Sequence, residues 1–147
     1  MAIQITAQTV LDADAYFATR LNSAAWTSAS GEDKLSSLVT ASNVLNAMSW
    51  RGVALSPLYA FPRYLPDGPR TPVTPTMILW ALYEEALHLL NNPGLLVEAD
   101  SVETLVVGPV QLQQLTSVDL IPKIVKRYIG PYTDAGGPGN GTWWRAN

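Results

Sequence analysis

Three stretches of this chain carry apolar residues at helical spacing, and each has recognisable ends. In the first, Ala13, Tyr16, Phe17 and Leu21 form one stripe. Thr9 is placed to cap it with Asp12 three positions on, and Asp12 and Asp14 suit the positive end of a helix dipole. This predicts a helix over 9–22. A second begins around Ser30–Asp33 and runs to about Trp50, burying Leu35, Leu38, Val39, Ala41, Leu45 and Met48. Ser36, Ser37, Thr40, Asn43 and Asn46 fill its polar face, and Gly52 can supply a left-handed residue just after it. The third has the clearest start, with Thr74 as cap and Pro75 at the first helical position, and Asn91-Asn92-Pro93-Gly94 stops it. Ile78, Leu79, Trp80, Leu82, Leu87, Leu89 and Leu90 leave it apolar on most sides, so it should be sandwiched between neighbours.

The intervening 52–74 holds Pro57, Pro62, Pro66, Pro69 and Pro72, which forbid a long helix and predict an ordered, extended loop. A solvated linker would not also hold Trp50, Val53, Leu55, Leu58, Tyr59 and Phe61 in and before it. Such a loop must fold back on the helices or cover a neighbouring molecule. Beyond Gly94, 102–115 alternates apolar and polar residues around Gly108-Pro109, reading as an extended or β-hairpin arm within 100–118. A short amphipathic helix over 121–129 bears Lys123, Lys126 and Arg127. The glycine-rich run 136–141 reads as a flexible tether ending in Trp143-Trp144-Arg145. The expected fold is therefore mainly α: a small bundle of three main helices plus a short C-terminal helix, with a long ordered loop and an arm. Residues 1–130 form its one domain and 131–147 a flexible tail.

Composition shifts attention towards assembly. Only 14% of the 147 residues are charged, against roughly 25% in an average soluble protein. Covering a monomer's surface with so few charges is difficult, which favours extensive contact with partners. The net charge of −3 opposes a broad electrostatic grip on nucleic acid. With no cysteine, disulfides and thiolate chemistry are excluded. No apolar run reaches the roughly 18–20 residues that cross a bilayer, and the first nine residues do not resemble a signal peptide. A cytoplasmic product without membrane contact is expected.

Candidate chemistry is sparse. His88, the sole histidine, lies among leucines and reads as a packed or interfacial residue. Glu84 and Glu85 stand out on the apolar third helix, but adjacent helix positions point about 100° apart and cannot act as a dyad. One of them is expected to pair with Arg63 and so fasten the loop to the helix. Lys123, Lys126 and Arg127 with Tyr128 make only a modest basic-aromatic patch. No cofactor, metal or catalytic set is expected.

Several features in order resemble a family. They are Asp12-Ala-Asp-Ala-Tyr16-Phe17, Trp26, the helix over 34–50, Trp50-x-Gly52, Ala60-Phe61-Pro62-Arg63, the helix opened by Pro75, and Val107-Gly108-Pro109-Val110. Over about residues 5–130 the series is similar to tailed-phage proteins carrying a DnaT-like domain label, grouped with head–tail connector or head-completion proteins. Phe61 departs from the tryptophan usual there, and the Trp-bearing tail has no counterpart. The resemblance implies a non-enzymatic helical adaptor assembled in the host cytoplasm and resident in the virion neck. It would form a homo-oligomeric ring, commonly a dodecamer, beneath the portal protein and receive the tail or a further neck protein. Genomic DNA would pass its acidic channel without specific binding. Trp50, Gly52, Phe61, Pro62 and Arg63 are then expected to fix the loop. Partner contacts are expected at Val102, Val106, Val110, Leu112, Lys123, Lys126, Arg127, Trp143, Trp144 and Arg145. The DnaT-like label also supports a rival, a single-stranded DNA-binding protein.

Overall fold

The computed structural model describes residues 2–96 and 119–134. The fold is mainly helical, a small bundle that also carries a two-stranded hairpin. Helix α1 spans Ala7–Ala18. It starts earlier than its pattern suggests because Thr9 works backwards, its Oγ1 accepting the Thr6 backbone N–H at 3.1 Å. It also ends early. Asn22 adopts a left-handed conformation (φ 58°) and turns the chain, leaving Leu21 in solvent rather than in the expected stripe. A five-residue helix, α2 (Ala24–Ser28), then drives Trp26 into the core, where it stacks on Phe17 with ring centroids 4.8 Å apart.

Helix α3 spans Gly31–Asn46, and the Ser30 side chain accepts the Asp33 N–H as expected of its cap. It stops short of Trp50 because that indole turns back over the helix end and donates to the Leu45 carbonyl at 3.1 Å. The same carbonyl also accepts the Met48 N–H at 3.1 Å, so the helix end is closed by backbone and side chain together. Its buried face also differs from the expected one: Ser37 and Ser42 are buried while Leu35 is exposed. Ser42 is needed inside because the N-terminal segment lies across it. The Ser42 hydroxyl accepts from the Ile3 N–H (2.9 Å) and donates to the Ile3 carbonyl (2.8 Å). Ala2 continues this tie, accepting the Phe61 N–H at 2.8 Å.

Part of the proline-rich stretch is a β-hairpin rather than a loop. Strand β1 (Val53–Ser56) pairs antiparallel with β2 (Tyr59–Tyr64), setting Val53 opposite Tyr64, Ala54 opposite Arg63 and Ser56 opposite Tyr59. Pro57 lies in the turn, and Pro62 faces the ladder's irregularity between Ala54 and Ser56, so neither removes a paired donor. The Phe61–Pro62 peptide bond is cis. Gly52 opens the hairpin at φ 81°, where a Cβ would collide with the Tyr64 backbone carbonyl. Its left-handed conformation thus serves the hairpin and not the helix end.

Helix α4 (Thr76–Asn91) is the centre of the bundle, touching α1, α2, α3 and α5 (Lys123–Ile129). Ile78, Ala81, Leu82, Ala86 and Leu87 are buried along it, as its all-round apolar pattern demanded. A 3₁₀ turn (Gly130–Tyr132) follows α5. The residues after it, the start of the expected tail, pair with the α3–β1 connection: Arg51 N–H donates to Tyr132, and Asp134 N–H to Ser49. The arm 100–118 and the tail from 135 onwards lie outside the described residues.

Candidate assembly surface

Arg63 is the keystone of the hairpin base, though not by an ion pair. Its Nη1 donates to the Ala60 carbonyl (3.0 Å), and its Nη2 to those of Trp50 (3.1 Å) and Gly52 (2.8 Å). Its guanidinium also lies 5.5 Å from the centre of the Phe61 ring, which meets Trp50 edge-on. Burial lowers the Arg63 pKa, and the charge of Asp134 opposes that shift. Trp50, Gly52, Phe61 and Arg63 are thus brought together, while the expected pairing with Glu84 or Glu85 is overturned. The planar fork suits three converging carbonyls as well as it suits a carboxylate. Arg63→Ala is expected to cost about 2–4 kcal/mol, since buried carbonyls lose charge-assisted partners. Arg63→Lys should restore only part of this, as an ammonium lacks the fork. Urea denaturation of both variants measures it, and equal stability of all three proteins would refute this role.

Glu84 is claimed instead by α1. Arg20 grips it bidentately, with Nη2 to Oε2 at 2.7 Å and Nε to Oε1, while the Tyr16 hydroxyl donates to Oε1 at 2.7 Å. The signal was present in the sequence: Tyr16 and Arg20 are four apart and share a helix face. Asp14 likewise is an interhelical tie and not a helix-start charge, accepting from the Trp26 indole and from Lys34, each at 2.8 Å. The Lys34 hydrogen bond leads in holding its carboxyl below the usual range. Glu85 is fully buried and neither of its oxygens has a hydrogen-bond partner among the described residues. Burial pushes its pKa up to about 8.

His88 has a structural role. Its Nε2 donates to the Asp119 carbonyl at 2.8 Å, tying α4 to the residues leading into α5. Lys123, Lys126 and Arg127 are exposed on α5, and Lys126 is bridged to Asp119 at 3.0 Å. Tyr128 packs against Trp80, with centroids 5.8 Å apart, so it is engaged with the bundle.

The feature that sets this surface apart is the outer face of the hairpin. Phe61 and Arg63 point inward by strand alternation, which leaves Val53, Leu55 and Tyr64 outward. Val53 is 69% exposed, Leu55 55%, Tyr64 41%, and Leu58 at the turn 71%. The pattern recorded the apolar residues but not their separation into an anchored face and a bare one. Of the other expected contacts, Val102, Val106, Val110, Leu112, Trp143, Trp144 and Arg145 lie outside the described residues. No family model, curated protein or solved structure matches the chain.

Proposed function

We propose that this chain is a structural head-to-tail adaptor of a tailed bacteriophage, forming a ring beneath the portal and joining it to the tail or next neck protein. The observation that carries the reading is the bare hairpin face: Val53, Leu55, Leu58 and Tyr64 expose adjoining apolar surface on a rigidly anchored projection. Patches of this kind mark protein contacts, because leaving them wet forfeits their burial energy. The low charge content agrees with a subunit whose surface is largely covered after assembly. The ordered series of motifs that resembles the connector family supplies the identity of the assembly. Its net negative charge suits a passage through which DNA slides, since acidic walls repel phosphate.

Sedimentation or mass photometry of the chain, alone and with its cognate portal protein, tests this. The expected result is a ring-sized species, or monomers that add to portal in a fixed high stoichiometry. Indifference to portal, with single-stranded DNA affinity that falls steeply with salt, would establish the DNA-binding alternative instead.

A further inference from the structure

We propose that residues 132–134 are a strap that latches the base of the hairpin to α5, and that its opening frees the hairpin while the helical bundle stays folded. Thr133 stands opposite Trp50 in an antiparallel bridge. Two backbone hydrogen bonds flank the bridge, Arg51 N–H to the Tyr132 carbonyl at 2.9 Å and Asp134 N–H to the Ser49 carbonyl at 3.0 Å. The strap is fixed to the bundle as well, because Thr133 N–H donates to the carbonyl of buried Ile129 at 3.1 Å. The segment that enters the hairpin thus finds its partner beyond α5. It is also the segment that Arg63 grips, for the guanidinium takes the carbonyls of Trp50 and Gly52 on either side of Arg51. The charge of Asp134 favours the Arg63 cation from the strap side.

The strap is held lightly. None of its three residues is buried, and Arg51 adds only a 3.4 Å contact from Nη1 to the Pro131 carbonyl. Beside it an open cleft of about 160 Å³ lies between Pro131 and Tyr132 on one side and Leu65, Pro66 and Gly68 on the other, so packing there is incomplete. The helices, in contrast, share one buried apolar core. Segments with few buried contacts open at a lower free energy than the core they border. Opening takes away the partners of Ser49 and Arg51 and loosens the carbonyls that Arg63 needs, while the contacts of α4 with α3 and α5 persist. The latch itself stands apart from the adaptor reading. Its consequence for assembly rests on that reading, since a hairpin held in one pose loses less freedom on docking.

Hydrogen exchange of the full chain, followed by mass spectrometry, tests the latch. Asp134→Pro deletes the N–H that Ser49 accepts, and Thr133 already holds the extended conformation (φ −94°, ψ 149°) that a following proline requires. Asp134→Asn removes the charge and keeps the N–H. The chain has no cysteine, so Ser49→Cys combined with Asp134→Cys makes a latch that closes only on oxidation. Opposite residues of a hydrogen-bonded antiparallel pair lie about 5.5 Å apart at Cα, within disulfide range. Asp134→Pro is expected to speed exchange over 49–64 by about fivefold, the effect of one lost hydrogen bond, with α4 unchanged. Oxidation of the double variant should slow the same amides about tenfold or more relative to its reduced form. Hairpin exchange that ignores both changes, or that rises only together with α4, overturns the latch. Asp134→Asn should have the smaller effect; equality with Asp134→Pro would assign the role to charge and overturn the latch too. Portal binding is the separate readout, with the oxidised form expected to bind about fivefold more tightly than Asp134→Pro. Variants that change hairpin exchange but bind portal equally leave the latch standing and take the hairpin out of the contact, which overturns the ground of the adaptor reading alone.

Discussion

Arg20→Ala is expected to lower stability by about 3–5 kcal/mol, because it strips a buried carboxylate of its counter-charge. The Glu84 side chain is 2% exposed, and after the substitution its remaining partner is the Tyr16 hydroxyl. Tyr16 cannot replace the lost charge. Its pKa is raised well above the ordinary tyrosine value, first by burial and then by its bond to Glu84, so it stays a neutral donor. Glu84→Gln should be milder, about 1–2 kcal/mol, since it removes the charge that needs compensation. Arg20 is 28% exposed and can then turn to water while keeping its bonds to the Leu21 and Asn22 carbonyls. The double variant should consequently be no worse than Arg20→Ala alone. Urea denaturation of the four proteins gives the coupling energy, expected in the range of about 1–3 kcal/mol. Additive losses would mean that Arg20 and Glu84 do not depend on each other, and that α1 is held to α4 by aromatic packing alone.

This pair shows where the sequence was readable and where it was not. Ser30 and Asp33 announce the start of α3, and the seven large apolar residues along α4 announce its central place, because both signals are local. The hairpin was hidden by Pro57 and Pro62, whose harmlessness depends on the register of a partner strand. Trp26 belongs to none of the periodic stripes because a five-residue helix is too short to show periodicity. Arg63 and the Glu84-Glu85 pair stand out in the sequence as charges on apolar elements, and all three are buried, but neither glutamate meets Arg63. Pairing of that sort is fixed by which helix faces which: Tyr16 and Arg20 share a face of α1, but nothing local says that this face meets Glu84. The Ser42 tie to Ile3 is equally illegible: a serine within a helix gives no sign that another segment crosses it.

Glu85 is expected to make the protein progressively less stable as pH rises from the acid range to about 8. Its ordinary pKa of 4.5 applies to the unfolded chain, while burial raises it to about 8 in the folded one. Between those values the folded chain holds a proton that the unfolded chain has released, and each pH unit then removes about 1.4 kcal/mol of folding free energy. The contribution is fully favourable below the unfolded value and is lost by the time the folded group ionises. By pH 7 the loss is on the order of 3 kcal/mol. Asp14 works in the opposite sense, since a depressed carboxyl loses its stabilising bonds as pH falls. A single wild-type profile therefore mixes both, and the difference from a Glu85 variant isolates the buried group. Glu85→Gln should remove the downward slope while keeping the shape. Glu85→Leu, which also removes the unpartnered oxygens, should exceed wild type at pH 8 by about 2–4 kcal/mol. Urea denaturation from pH 5 to pH 9 measures all three. A Glu85→Gln profile parallel to wild type would show that Glu85 is already ionised and partnered at neutral pH. With the expected slopes, the central helix carries a neutral acid, and alkaline conditions loosen the bundle at the helix against which the other four pack.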